Sequence, residues 1–183
     1  MSLYSVAVFL HVVGALGLSA ALGVEWVGVR NLRRAATVSR AREWIELMRH
    51  HRWIERLSLP ILLVTGAYLT VTTGGGRPWI GVGLLGLFAI AALSMLLSGR
   101  RLRSIGRALP GDGSLAQALA RQLADPVLTL STCLRTALAL GIVFIMSTKP
   151  DRAGALSALG IALMLGLAAG LPPFVGRARA HGA

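Results

Sequence analysis

The sequence predicts an all-α polytopic membrane helix bundle with five transmembrane helices. Three observations predict it. Five oily stretches approach the length that crosses a bilayer. Charged residues make up 14% of the chain and hydrophobic ones 55%, whereas a soluble domain carries about a quarter charged residues. The basic residues gather in the segments between alternate oily stretches, and this asymmetry orients membrane proteins.

A hydrocarbon core about 30 Å thick needs about 20 apolar residues to cross as a helix. On that measure the spans are 3–29, 57–73, 79–98, 127–147 and 154–175, with cytoplasmic loops 30–56 and 99–126. The 183 residues then form a single transmembrane domain. The first span lacks a positive n-region and exceeds the usual length of a signal-peptide core, so it reads as a retained helix. The second span is short, but the preceding "AREWIELMRHHRWIER" contains neither Pro nor Gly and extends it as a helix. Pro60 stands where that helix enters the membrane and is placed to kink it. The second loop, "PGDGSLAQALARQLADP", reads as a short interfacial helix, capped near Asp112 or Ser114 and stopped before Pro126.

Eight arginines lie between the first two spans, five between the third and fourth, and two after the fifth, against Arg77, Lys149 and Arg152 on the other side. The positive-inside rule then puts the N-terminus outside and the C-terminus in the cytoplasm. The formal net charge of +12 is dispersed along these loops, not gathered on one soluble face, so no nucleic-acid partner is expected. Membrane lipids are the expected partners. Trp26, Trp44 and Trp53 on the inner side, with Tyr4 and Trp79 on the outer, read as interfacial anchors. The lone Cys133 excludes an internal disulfide.

Small residues mark where membrane helices pack closely. Ala158, Ala162, Gly166 and Gly170 form such a stripe on the fifth span, and Ala15, Ser19 and Gly23 one on the first. The fifth-span stripe is the argument for a homo-oligomer or a larger membrane complex, since one protomer would leave part of it uncovered. His11 and Glu25 fall within about 40° of each other in projection and point into the bundle. Ser58, Thr65, Tyr68 and Thr72 share one face of the second span, and Ser131, Thr132 and Arg135 one of the fourth. The third span, interrupted only by Trp79, Ser94 and Ser98, is expected at the periphery.

Arg135 is the residue that most needs explaining, because a charge at the centre of a membrane helix costs at least about 2.5 kcal/mol. Measured from the outer ends of the spans, His11 lies within about 6 Å of its depth and Glu25 about 15 Å deeper. Its expected partners are therefore Ser131, Thr132 or Tyr68, an ordered water or a bound anion, and not Glu25. The candidate polar interior comprises Arg135, Ser131, Thr132, Thr65, Tyr68 and Glu25.

His11 is the one candidate cofactor ligand, for haem, but no second histidine lies at its depth: His50 and His51 are at the inner end and His181 is in the tail. Adjacent His50 and His51 diverge by about 100° and do not chelate together, so no metal site is expected. Gly74–Gly76 reads as a tight outer turn without the Lys and Ser or Thr of a phosphate-binding loop. No nucleophile–base pair or paired carboxylates stand out, which gives an enzyme no residues to work with.

The stretches "LYSVAVFLHVVGALGLSAA", "TGAYL", "PWIGVGLLGL" followed by "RRLRSIGRA", and "FIMSTKPD" resemble a group of small bacterial integral-membrane proteins. That group is itself loosely similar to the membrane domain of copper-resistance D-type proteins. The resemblance implies a multi-pass protein of the bacterial plasma (inner) membrane and, by analogy, haem or copper handling with His11 as a ligand. The residues themselves point to a non-enzymatic binding module or an accessory subunit of a membrane complex. The alternatives are a haem-binding electron-transfer module using His11 and a small-anion or proton permease using Arg135.

Overall fold

A computed structural model describes residues 2–108 and 126–171. Among them the chain is helical and contains no strand. Five of its helices are long and apolar enough to cross a membrane. Helix α1 runs Leu3–Leu32, α2 Val38–Thr72, and α3 Pro78–Leu93. A five-residue π-turn, Ser94–Ser98, continues α3 directly into α4, Gly99–Ala108. Then come α5, Pro126–Thr148, and α6, Arg152–Gly170.

The boundaries follow local chemistry. Ser2, Thr37 and Asp151 cap α1, α2 and α6, each accepting from a backbone N–H three residues on. Pro78 opens α3 at the position where its missing N–H costs nothing. Gly74, Gly75 and Gly76 all have φ between +58° and +88°, a left-handed run that only glycine adopts at no steric cost. The extension of the second span is real: α2 holds both the charged segment and the apolar one in a single helix of 35 residues, with Pro60 inside it. The third span likewise continues as helix to Ala108, where a loop beginning at 99 was expected. The interfacial helix expected near Asp112 or Ser114 lies outside the described residues, as do the end of the fifth span beyond 171 and His181.

Helix α5 is central, packing against α1, α3 and α6. The small-residue stripe of the fifth span faces it. A Cβ at Gly166 would stand 2.9 Å from the Leu134 Cα, and one at Gly170 would stand 2.9 Å from the Leu130 Cα. Ala162 is buried and would meet a Cβ at Gly141 at 2.9 Å. The stripe is thus covered within one chain, which removes the argument it offered for a second copy. On α1 the expected stripe is displaced. Gly23 is exposed with nothing within 4 Å of a Cβ. The buried residues instead include Ala7 and, from Gly14 on, Leu18, Ala21, Glu25, Gly28 and Leu32, a step of seven and then steps of three and four that keep one face toward its neighbours.

Two apolar cores result. One unites Val29 and Leu32 of α1, Ile45 and Met48 of α2, Leu102 and Ile105 of α4, and Leu128 of α5. The other unites Leu18 and Leu22, Leu62, Val82, Leu87 and Ile90, Leu138 and Ile145, and Leu159. On α1, α2, α3–α4 and α5 the buried polar residues other than Thr65 lie between these two sets in sequence, and hence at one level of the bundle. Outward-facing Ile161, Met164 and Leu165 on α6, and Leu85 and Phe88 on α3, are exposed.

Candidate functional site

At that level Arg135 is fully buried, Glu25 is 8% exposed and Glu55 4%. The Arg135 guanidinium forms ion pairs with both carboxylates: Nη2 with Glu25 and Nη1 with Glu55 Oε1 at 2.9 Å. Nη2 also donates to Ser98 Oγ at 3.2 Å. Ser98 donates to Ser131 Oγ at 3.1 Å, and Ser131 to the Leu93 carbonyl at 3.4 Å. Thr132 donates to the Leu128 carbonyl at 2.9 Å and reaches Glu25 Oε1 at 3.5 Å. Four helical segments meet here, and each supplies a polar group.

The π-turn explains how an oily helix contributes. Its widened turn, with Gly99 N–H bonded five residues back to the Ser94 carbonyl, turns carbonyls toward side chains of neighbouring helices. Ser131 takes the Leu93 carbonyl, and Arg52 Nη2 takes the Ser94 carbonyl at 3.2 Å. Single π-turns within α-helices recur at functional sites. Arg52 completes the charge balance. It is half-buried, close enough to Glu55, Glu25 and Arg135 to interact with all three. Two carboxylates therefore face two guanidinium groups, as burial in a poorly solvated interior demands.

The expected partners of Arg135 are corrected at three points. Glu25 pairs with it directly, because the two helices do not begin level at the outer side. Helix α1 has 30 residues and α5 has 23, or about 45 Å against about 35 Å. Counted from the arginine-rich end, Glu25 lies seven residues before Leu32 and Arg135 nine after Pro126, which puts them within about 3 Å in depth. The same alignment lets Trp26, expected as an interfacial anchor, donate to Thr136 Oγ1 at 2.9 Å. Second, the third span is not peripheral, since Ser98 is 1% exposed and bonded to the guanidinium. Third, Thr65 and Tyr68 lie away from this centre, three and six residues past Leu62 along α2, and neither bonds to Arg135. Glu55 was not expected at this centre, although Glu55, Ser58, Leu62 and Thr65 continue one face at three- and four-residue spacing.

Thr65 belongs to a second, smaller site with His11. His11 Nδ1 lies 2.9 Å from Thr65 Oγ1, and the Thr65 hydroxyl donates to the Ile61 carbonyl at 2.6 Å. A hydroxyl has one hydrogen to give. With that hydrogen on Ile61, Thr65 accepts from His11, so Nδ1 carries the ring proton and Nε2 keeps its lone pair. This is the tautomer in which a histidine ligates through Nε2 while its other nitrogen is held by an outer partner. Among the described residues no group of three His, Cys, Asp or Glu side chains converges. His11 and Thr65 thus form a small two-residue polar site, with His11 Nε2 taking no part in the Thr65 bond.

No family model, curated protein or solved structure matches the chain.

A cleft of about 1010 Å³ opens beside the polar layer. One wall is α2 from Arg42 to Pro60, and the other runs from Ala91 through the π-turn to Arg107. Arg52, Glu55 and Ser94, the outer members of the charge centre, are among its lining residues. Six arginines and two glutamates line it, a formal balance of +4. A void of about 10 Å³ bounded by Glu25, Arg52, Glu55 and His51 lies next to it, close to the size of one water.

Proposed function

We propose that the chain is an integral membrane protein of the bacterial plasma membrane, with its N-terminus outside and its arginine-rich end in the cytoplasm. It acts as a non-enzymatic binding module, and the cleft between α2 and α3–α4 is its ligand seat. The observation that carries this reading is the cleft's excess of arginine over carboxylate, set against a buried charge centre that fixes both walls. The centre itself is a poor seat for an anion, because Glu25 and Glu55 already neutralise Arg135. This weighs against a permease that uses Arg135 as its anion site.

The test is thermal unfolding of the purified protein in neutral detergent. Inorganic phosphate and phosphatidylglycerol are each added and compared, at equal ionic strength, with chloride and phosphatidylcholine. Stabilisation by either anion, lost in Arg49→Gln/Arg103→Gln, supports the reading. A melting curve indifferent to both overturns it.

The His11 tautomer favours a second reading, a haem-binding electron-transfer module. A bound haem would supply the redox chemistry, with His11 Nε2 as the residue that would hold it and Thr65 orienting the imidazole. Protein purified from its native membrane would then show a Soret band that His11→Ala abolishes and Thr65→Val shifts. A colourless preparation counts against it.

A further inference from the structure

Resting on the binding-module reading, we infer that the cleft between α2 and α3–α4 seats the phosphate headgroup of an anionic phospholipid. Its arginines stand in two facing rows. Arg49, Arg52 and Arg56 recur at three- and four-residue spacing on α2, and Arg103 and Arg107 at four on α4. Residues so spaced share one helical face. Two of them are held in place by the backbone: Arg103 Nε donates to the Gly99 carbonyl at 3.0 Å and Arg107 Nε to the Arg103 carbonyl at 3.3 Å. Arg52 is anchored on the Ser94 carbonyl through one Nη. Guanidinium groups match phosphate oxygens in pairs, which an ammonium does not.

The cleft is too large and too oily for a bare phosphate. At about 1010 Å³ it stands at the upper end of small-molecule sites. Below the arginines its walls turn apolar, with Leu59 and Pro60 on α2 facing Ala91 and Met95 on α3 and the π-turn. Met95 is 70% exposed, Leu57 51% and Leu96 49%, so the apolar part of the cleft continues onto the helix surfaces that would meet acyl chains. A charged rim above an apolar floor, open sideways, matches a headgroup with the first carbons of its chains. Its place at the end of the apolar spans is where cytoplasmic-leaflet phosphates lie.

The experiment is native mass spectrometry of the full chain released from neutral micelles, titrated with phosphatidylglycerol, phosphatidylcholine or inorganic phosphate. Wild type is expected to bind phosphatidylglycerol at least tenfold tighter than phosphatidylcholine. Each cleft arginine lost is expected to cost about fivefold. The preference should vanish in Arg49→Gln/Arg56→Gln/Arg103→Gln/Arg107→Gln and persist in the control Arg30→Gln/Arg152→Gln, which leaves the cleft intact. Equal affinity for the two lipids, or a preference that survives the fourfold variant, overturns the inference. Phosphate binding without lipid preference overturns it too, while leaving the anion-binding reading in place. Should the fourfold variant not fold, a photoactivatable phosphatidylglycerol on wild type decides. Cross-links at Leu59 or Met95 support the seat, and cross-links confined to α6 overturn it.

Discussion

Replacing Arg135 by Met tests the energetics of the charge centre. The substitution removes the cation and leaves Glu25 and Glu55, 8% and 4% exposed, facing each other with Arg52 as their remaining counter-charge. It also leaves Ser98 without its guanidinium donor. Breaking a buried pair by deleting one partner costs about 3–5 kcal/mol, whereas exchanging the whole set for uncharged groups of like volume is often neutral. The account therefore predicts a loss of about 3–5 kcal/mol for Arg135→Met, a factor of about 150 to 5,000 in the folding equilibrium. It predicts that Glu25→Gln/Glu55→Gln/Arg135→Met recovers more than about half of that loss. The assay is reversible unfolding in mixed micelles, followed by the fluorescence of the four tryptophans. A loss below about 1 kcal/mol for the single change would refute the reasoning, since that is the worth of a solvated surface pair. A triple variant no more stable than the single would refute it equally.

Further outcomes follow from the packing and the proposed orientation. Gly166→Val forces side-chain atoms into the α5 backbone at Leu134 and Cys133 and should cost about 1–3 kcal/mol as overpacking; Gly23→Ala, with open space around it, should be within about 0.5 kcal/mol of wild type. Both are read by the same unfolding assay. Ser98→Ala removes one guanidinium acceptor and one donor to Ser131 and should destabilise by about 1–3 kcal/mol; an unchanged midpoint would show that the π-turn does not serve Arg135. Gly75→Cys should react with a membrane-impermeant maleimide added to intact cells, and Ala36→Cys only after the cells are broken open. Labelling of Ala36→Cys from outside would reverse the proposed orientation. The native Cys133 is buried and should stay silent.

Much of the bundle was legible because its signals are local. The apolar spans and the three-glycine turn are each written in a short continuous stretch of sequence. The joining of the charged segment to the second span was equally readable, since nothing in "AREWIELMRHHRWIER" breaks a helix. Inward-facing His11, Glu25, Thr65, Ser131, Thr132 and Arg135 were found from helical phase alone. What escaped depends on how helices slide past one another. The depth of Glu25 against Arg135 is set by side-chain packing between α1 and α5, not by where each apolar run starts. Glu55 was hidden because it sits in a segment whose many charges suggested a solvated face. Ser98 was hidden because the π-turn that rotates it inward leaves no signature in a run of Ser, Met and Leu. The Ser94–Ser98 and Ser131–Arg135 pairs, both four residues apart, were the available hint.

The central claim is that Arg135 is held, fully buried, by both Glu25 and Glu55 in a polar layer between two apolar cores. Its most direct measurement is solid-state NMR of the protein in bilayers, recording dipolar contacts between the ¹⁵N-labelled Arg135 guanidinium and ¹³C-labelled glutamate carboxyls. The account predicts two contacts, one lost in Glu25→Gln and the other in Glu55→Gln, with no water cross-peak to the guanidinium as strong as those of the loop arginines. A guanidinium that contacts neither carboxyl, or that exchanges with water like Arg30, would contradict it.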